Sequence, residues 1–201
     1  GVPDIDVLRS SLRDFYKYGG KAAMQKGINY SSKDSTDKDF AYITAEILRT
    51  HDRDQDAKHI LENFVKKNNR TDFQTLDKDA LISLAWSASS TKDYDLAVDI
   101  CKKGMEQYPE GAGIFYAIWG RSIFFKEKKL ENALKIWQQG LADPRGGKDQ
   151  IYLQMEEGYY NAGDIKGAYE SLKKLSEGRG VPDYIKKRML NYERMLKLNK
   201  G

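Results

Sequence analysis

Apolar side chains recur along this chain at steps of three and four residues, the spacing that gathers them on one side of a helix. Leu81, Leu84, Ala85 and Ala88 form one such stripe. Tyr184, Met189, Leu190, Tyr192, Met195 and Leu196 include another, with charged residues filling the opposite side. Pro182 and Asp183 suit the start of a helix over 182–198. At the other end, Leu8, Leu12 and Phe15 predict a helix over about 4–18, broken at Gly19 and Gly20, with a short second helix over about 20–27. The pattern predicts a helical chain almost throughout, with about nine to eleven helices and no sheet.

The helices come in repeated pairs. In Tyr159-Tyr160-Asn161-Ala162-Gly163-Asp164-Ile165-Lys166-Gly167-Ala168, two aromatics close one helix, a Gly-Asp turn follows, and a hydrophobic and a small residue open the next. The same grammar runs from Phe124 to Ala133 and from Ser89 to Ala97, with a fainter copy from Arg49 to Ala57. The small residues Ala57, Ala97, Ala133 and Ala168 stand 40, 36 and 35 residues apart. A 34-residue helix-turn-helix unit with short insertions accounts for these steps. The longest step contains the polar stretch 68–73, which suits a longer connection.

These residues resemble the tetratricopeptide repeat family. The family pattern appears in Leu81, Leu84-Ala85, Ala97, Gly104 and Tyr108-Pro109. It returns in Tyr116, Trp119-Gly120, Ala133, Trp137, Gly140 and Pro144, and again in Tyr152, Tyr159, Ala168, Leu172 and Leu175. The resemblance spans about residues 38–176. It implies an all-α, right-handed superhelix of four repeats, at 38–67, 78–108, 113–144 and 149–176. N-terminal helices at 1–30 and a capping helix at 182–198 complete one domain over 1–201. Small residues at Ala85, Ala97, Gly120, Ala133 and Ala168 let neighbouring helices close to contact. Departures stand out too. Glu156 occupies a position where the family has a small residue, the third repeat carries one extra residue near its turn, and Thr44-Ala45 has no aromatic after it.

Composition narrows the function classes. Hydrophobic residues are 40% and charged residues 32% of 201, as in a folded soluble chain. No apolar run of membrane-spanning length occurs. The chain begins Gly1-Val2-Pro3, which fits added leading residues or a removed export signal, so cytoplasmic, periplasmic and lipid-anchored locations all stay open. The net charge of +4 comes from interleaved signs, as in Arg53, Asp54, Asp56 and Lys58, which reads as solvated helix faces rather than a nucleic-acid patch. The cluster Lys186, Lys187, Arg188, Arg194, Lys197 and Lys200 reads as a helix face with cations near its C-terminal end.

Candidate chemistry is sparse. Cys101 is the only cysteine and, with His51 and His59, cannot supply the four nitrogen or sulfur ligands of a structural zinc site. Cys101 holds a helix-B position that calls for a large apolar residue, so it is expected to be buried and inert. Gly19-Gly20-Lys21 and Gly146-Gly147-Lys148 lack the upstream glycine of a phosphate loop and read as turns. Glu156-Glu157 are adjacent on a helix and point apart, which suits no acid–base pair. Asn29-Tyr30-Ser31 and Asn69-Arg70-Thr71 fit the glycosylation sequon. No enzyme, metal or cofactor is expected.

What remains is the concave groove, which the resemblance lines with helix A of each repeat. Carrying the family's groove positions over gives Asp39, Tyr42, Glu46 and Arg49, then Asp79, Ile82, Trp86 and Ser89, then Ile114, Ala117, Arg121 and Phe124, then Gln150, Leu153, Glu157 and Tyr160, with Asn161 beside them. Trp86 falls off the Leu81–Ala88 stripe, where a bound chain would cover it. The Lys, Asn and Arg clamp by which one subgroup holds the C-terminus of heat-shock chaperones is absent, because Tyr42, Glu46, Asp79, Ser83 and Ile82 or Ile118 stand there. The groove is mixed aromatic and apolar around Arg121, residue types enriched at binding hot spots. The implied function is binding of a partner peptide or helix by a monomer or small homo-oligomer. A self-associating or structural subunit of a complex, such as one in the cell envelope, and a binder of a small apolar ligand are the alternatives.

Overall fold

The computed structural model describes residues 5–33, 38–67, 76–177 and 179–198. The expected connection at 68–73 and the sequon at 69–71 lie outside them. Among the described residues there are ten helices and no strand. They are α1 (Ile5–Lys33), α2 (Lys38–Thr50), α3 (Asp54–Lys67), α4 (Lys78–Ser90), α5 (Tyr94–Gln107), α6 (Gly113–Glu127), α7 (Leu130–Ala142), α8 (Lys148–Asn161), α9 (Ile165–Ser176) and α10 (Asp183–Leu198). No helix among them is long and apolar enough to cross a membrane.

The chain divides into two compact units, residues 1–107 and 108–201. In the first, α2 pairs with α3 and α4 with α5, and α4 rests on both helices of the preceding pair. In the second, α6 pairs with α7 and α8 with α9, α8 rests on both α6 and α7, and α10 packs on α9. Each hairpin thus buries its face against the next hairpin in its unit, which is how helical repeats make a core.

The turns repeat atom for atom. Arg53 N–H donates to Leu48 O at 2.8 Å, Asp93 to Ala88 O at 2.8 Å, and Asp164 to Tyr159 O at 2.8 Å. In each case the residue before the donor is left-handed: Asp52, Lys92 and Gly163. This closes the last carbonyls of one helix as a Schellman-type cap. Four residues on, Ala57, Ala97 and Ala168 donate back to those same Arg53, Asp93 and Asp164 carbonyls and open helix B. The third hairpin differs where the extra residue falls. There Lys128 is left-handed and its N–H reaches Phe124 O at 2.8 Å.

Small residues stand where helices cross. Ala57, Ala97, Ala133 and Ala168 have no exposed surface. A Cβ on Gly120 would run into the Trp137 indole, whose nitrogen donates to Ala117 O at 3.2 Å. The expected break at Gly19-Gly20 is a kink at Gly20 (φ 58°, ψ −144°), and the helix beyond it continues to Lys33 rather than ending near 27. The second limb is held because Gly27 lets the Tyr16 ring lie against it, and the buried Tyr16 hydroxyl is 2.8 Å from Thr44 Oγ1. Burial pushes the Tyr16 hydroxyl pKa up.

Candidate functional site

Helices α2, α4, α6 and α8 are the first helices of their hairpins and carry the candidate groove residues. On α2, Tyr42 is buried, with its ring edge-on to Phe64 at 5.3 Å and the Lys38 ammonium over its face at 5.7 Å. Glu46 is half-exposed and draws two cations from α1, Arg9 at 3.5 Å and Arg13 at 3.5 Å. Arg49 is half-buried, as are Ile82 and Trp86 on α4, whereas Leu81, Leu84, Ala85 and Ala88 beside them are fully buried. Asp39, Asp77 and Asp79 join Glu46 and Arg9 around a small hollow of about 40 Å³, where Lys38 pairs with Asp77 at 3.8 Å.

In the second unit the register behaves unevenly. Ala117 and Phe124 lie in the core with Ala133 and Trp137 rather than on an open surface. The cause is local: Trp137 bonds the Ala117 carbonyl and draws that side of α6 under α7. Arg121 is half-exposed and lies 4.6 Å over the Phe125 ring. On α8, Leu153 and Glu157 are half-buried, while Tyr160 is 51% exposed. Asn161 is exposed, but its amide donates to Glu157 O at 2.9 Å within its own helix.

A polar cluster joins α6 to the loop after α7. The Tyr116 hydroxyl donates to Asp143 Oδ2 at 3.1 Å, and Arg145 grips the same carboxylate through Nε at 2.9 Å and Nη2 at 2.6 Å. The Arg145 hydrogen bonds hold the Asp143 carboxyl well below the usual range. Gly111 and Gly113 N–H donate to Arg145 and Gly146 carbonyls, which ties the start of α6 to the loop before α8. Gly146-Gly147 is therefore a turn, with φ of 91° and 83°.

Glu156 explains its own departure from a small residue. It is 1% exposed, and both carboxylate oxygens are taken by α10. The Tyr192 hydroxyl donates to Oε1 and Arg188 Nη2 to Oε2 at 2.8 Å. Burial and this bond push the Tyr192 hydroxyl pKa up. Helix α10 thus brings Arg188, Asn191 and Arg194 beside Tyr160, residues that position-by-position transfer from four repeats does not include. Their signal in the sequence was the cluster of cations on 186–197 together with the misplaced acid.

Cys101 is fully buried, and desolvation raises its thiol pKa. His51 and His59 are exposed, with His59 Nε2 2.9 Å from the Asn63 amide. Among the described residues no group of three or more His, Cys, Asp or Glu side chains is arranged to hold a metal ion.

Paired helices, packed pair on pair within each unit, with recurring turns, define an all-α protein of the tetratricopeptide repeat fold. A thermophilic TPR protein from Thermus thermophilus has a similar solved structure, with a TM-score of 0.65 over 94% of this chain and 98% of that one, at 13% identity. No protein-family model matches the sequence, and a search of curated proteins gives no match.

Proposed function

We propose that this chain is a protein-interaction scaffold and that the first helices of its hairpins, α2 and α4 in the first unit and α6 and α8 in the second, offer faces within each unit to an extended segment or a helix of a partner. The observation that carries the reading is the set of incompletely buried side chains at the fifth, ninth and twelfth positions of the first helices within each unit. Ile82 and Trp86 on α4 and Arg121 on α6 keep partial exposure between buried neighbours, and Leu153 and Tyr160 on α8 are partly exposed as well. Half-buried aromatics and arginines on a helix face are what a docked chain desolvates. Peptides selected from a displayed random library and fitted with a photo-crosslinker test it. The reading expects crosslinks to α4, α6 and α8; crosslinks confined to α5, α7 and α9 would overturn it.

A second reading, self-association, draws on the other end of the chain. Phe15 and Tyr30 are about half exposed around a hollow of about 390 Å³ that Phe40 completes. Light scattering across concentrations separates the two. Growth in mass that Phe15→Glu abolishes supports self-association, and constant mass removes it.

A further inference from the structure

Beside Tyr160, the last turn of α8 and the outer side of α10 enclose a cleft of about 520 Å³. Three α10 side chains step along it at intervals of three residues: Arg188, Asn191 and Arg194. That spacing puts successive side chains about 4.5 Å apart along the helix axis and on one side of it. Tyr160, Tyr192 and Met195 supply the apolar part of the lining, with the two rings 6.1 Å apart.

The electrostatics of the cleft follow from Glu156. That carboxylate is buried beneath it, with one oxygen on the Tyr192 hydroxyl and the other on a terminal nitrogen of Arg188. Its acceptor capacity faces α10 and is screened from solvent, whereas the Arg188 side chain remains 44% exposed. Arg188 is thereby fixed in place with part of its donor fork turned outward. Arg194 is exposed and forms no ion pair among the described residues. Glu193, the acid next to it in sequence, is occupied by the Tyr169 hydroxyl at 2.9 Å. The accessible polar atoms of the cleft are therefore chiefly donors, beside an apolar wall. Guanidinium forks match carboxylates in shape and charge.

We infer that this cleft takes an acidic side chain of a partner peptide, with an adjoining apolar residue packed between Tyr160 and Met195. The inference rests on the scaffold reading and gives the chemistry of one site within the second unit. The occupant is an internal Asp or Glu of an extended segment. The donors are side chains spread along a helix, and the backbone N–H groups of α10 are engaged within that helix, so the cleft offers no amide nest for a chain terminus.

The test pans a displayed library of random dodecapeptides against the wild-type protein. The recovered peptides are made with amidated C-termini, and their affinities are measured by fluorescence anisotropy for wild type, Arg194→Glu, Arg194→Lys and Trp86→Ala. Arg194 is exposed, so its variants keep the fold, and a melting curve checks that. Arg188 is left intact because removing it would strand the buried Glu156 charge. The expected result is an Asp or Glu beside an apolar residue in the recovered peptides. Its replacement by Asn or Gln should weaken binding at least tenfold. Arg194→Glu should do the same, Arg194→Lys, which keeps the charge but loses the fork, should fall between wild type and Arg194→Glu, and the wild-type affinity should fall as salt rises. Peptides that lose affinity for Trp86→Ala but bind Arg194→Glu as tightly as wild type overturn this inference and leave the scaffold reading standing. Peptides indifferent to both variants overturn both, and binding lost on amidation overturns the choice of a side-chain carboxylate.

Discussion

Ala133 has no exposed surface where α7 packs on α6, and it shares a cluster with Ala117, Phe124 and Trp137. Filling such a crossing with a larger side chain forces neighbours off their rotamers, at a cost of about 1–3 kcal/mol. Ala133→Leu is therefore expected to lower the melting temperature, and an unchanged melting curve would show that the crossing has spare room. Cys101 is fully enclosed and its thiol pKa is raised by desolvation. A thiol reagent should label the native protein far more slowly than the denatured protein, and equal rates would contradict the packing. Asp143 titrates in the opposite sense. Its folded carboxyl sits below the usual carboxylate range, so the fold favours the ionised form. That contribution is complete above the unfolded value of about 3.9 and is lost as pH falls through the lower folded value. The melting-temperature gap between wild type and Asp143→Asn should be present at neutral pH and close on acidification below that range; a gap that widens in acid would reverse the assignment. Small positions such as Ala133 were legible in the sequence because their size is the signal. Glu156 was legible only as an anomaly, because its partners Arg188 and Tyr192 lie 32 and 36 residues away.

At the scale of the element, α10 shows what a repeat pattern conveys and what it hides. Its helical spacing and its start at Pro182-Asp183 are readable locally, and Ile185 and Tyr192 bury with Leu172 and Leu175 of α9 as an amphipathic stripe should. Its attachment to α8 through Glu156 is not readable, since no local rule pairs one carboxylate with a helix two elements later. The two sources give opposite expectations for Glu156→Ala. The family pattern prefers a small residue there, whereas the structure leaves the Tyr192 hydroxyl buried and without its acceptor. An orphaned buried donor costs about 1–3 kcal/mol, so the variant should melt lower and be cut faster by protease around 177–183. A higher melting temperature would show that the Glu156 cluster does not secure α10. On α6 the register transfer also meets its limit. Counting positions places Ala117 and Phe124 on the groove, but the contact of Trp137 with α6 determines what stays exposed. The extra residue before α7 shifts that hairpin's turn from the pattern of the other three.

At the scale of the whole molecule, the four-hairpin arrangement follows from the spacing of small residues and from turns that repeat the same hydrogen bonds. The proposed binding surface follows less directly, because it is defined by what the hairpins leave uncovered. Trp86 is the sharpest case: a large side chain, half-buried on α4, beside four fully buried residues of the same helix. A core tryptophan and a binding tryptophan differ in which quantity its removal changes. The most direct measurement is a melting curve and a peptide titration on the same Trp86→Ala sample, using a peptide selected on the wild-type protein. The account predicts a loss of at least ~2 kcal/mol in binding, the threshold of a hot spot, with the melting temperature close to wild type. A large fall in melting temperature with unchanged affinity would contradict it.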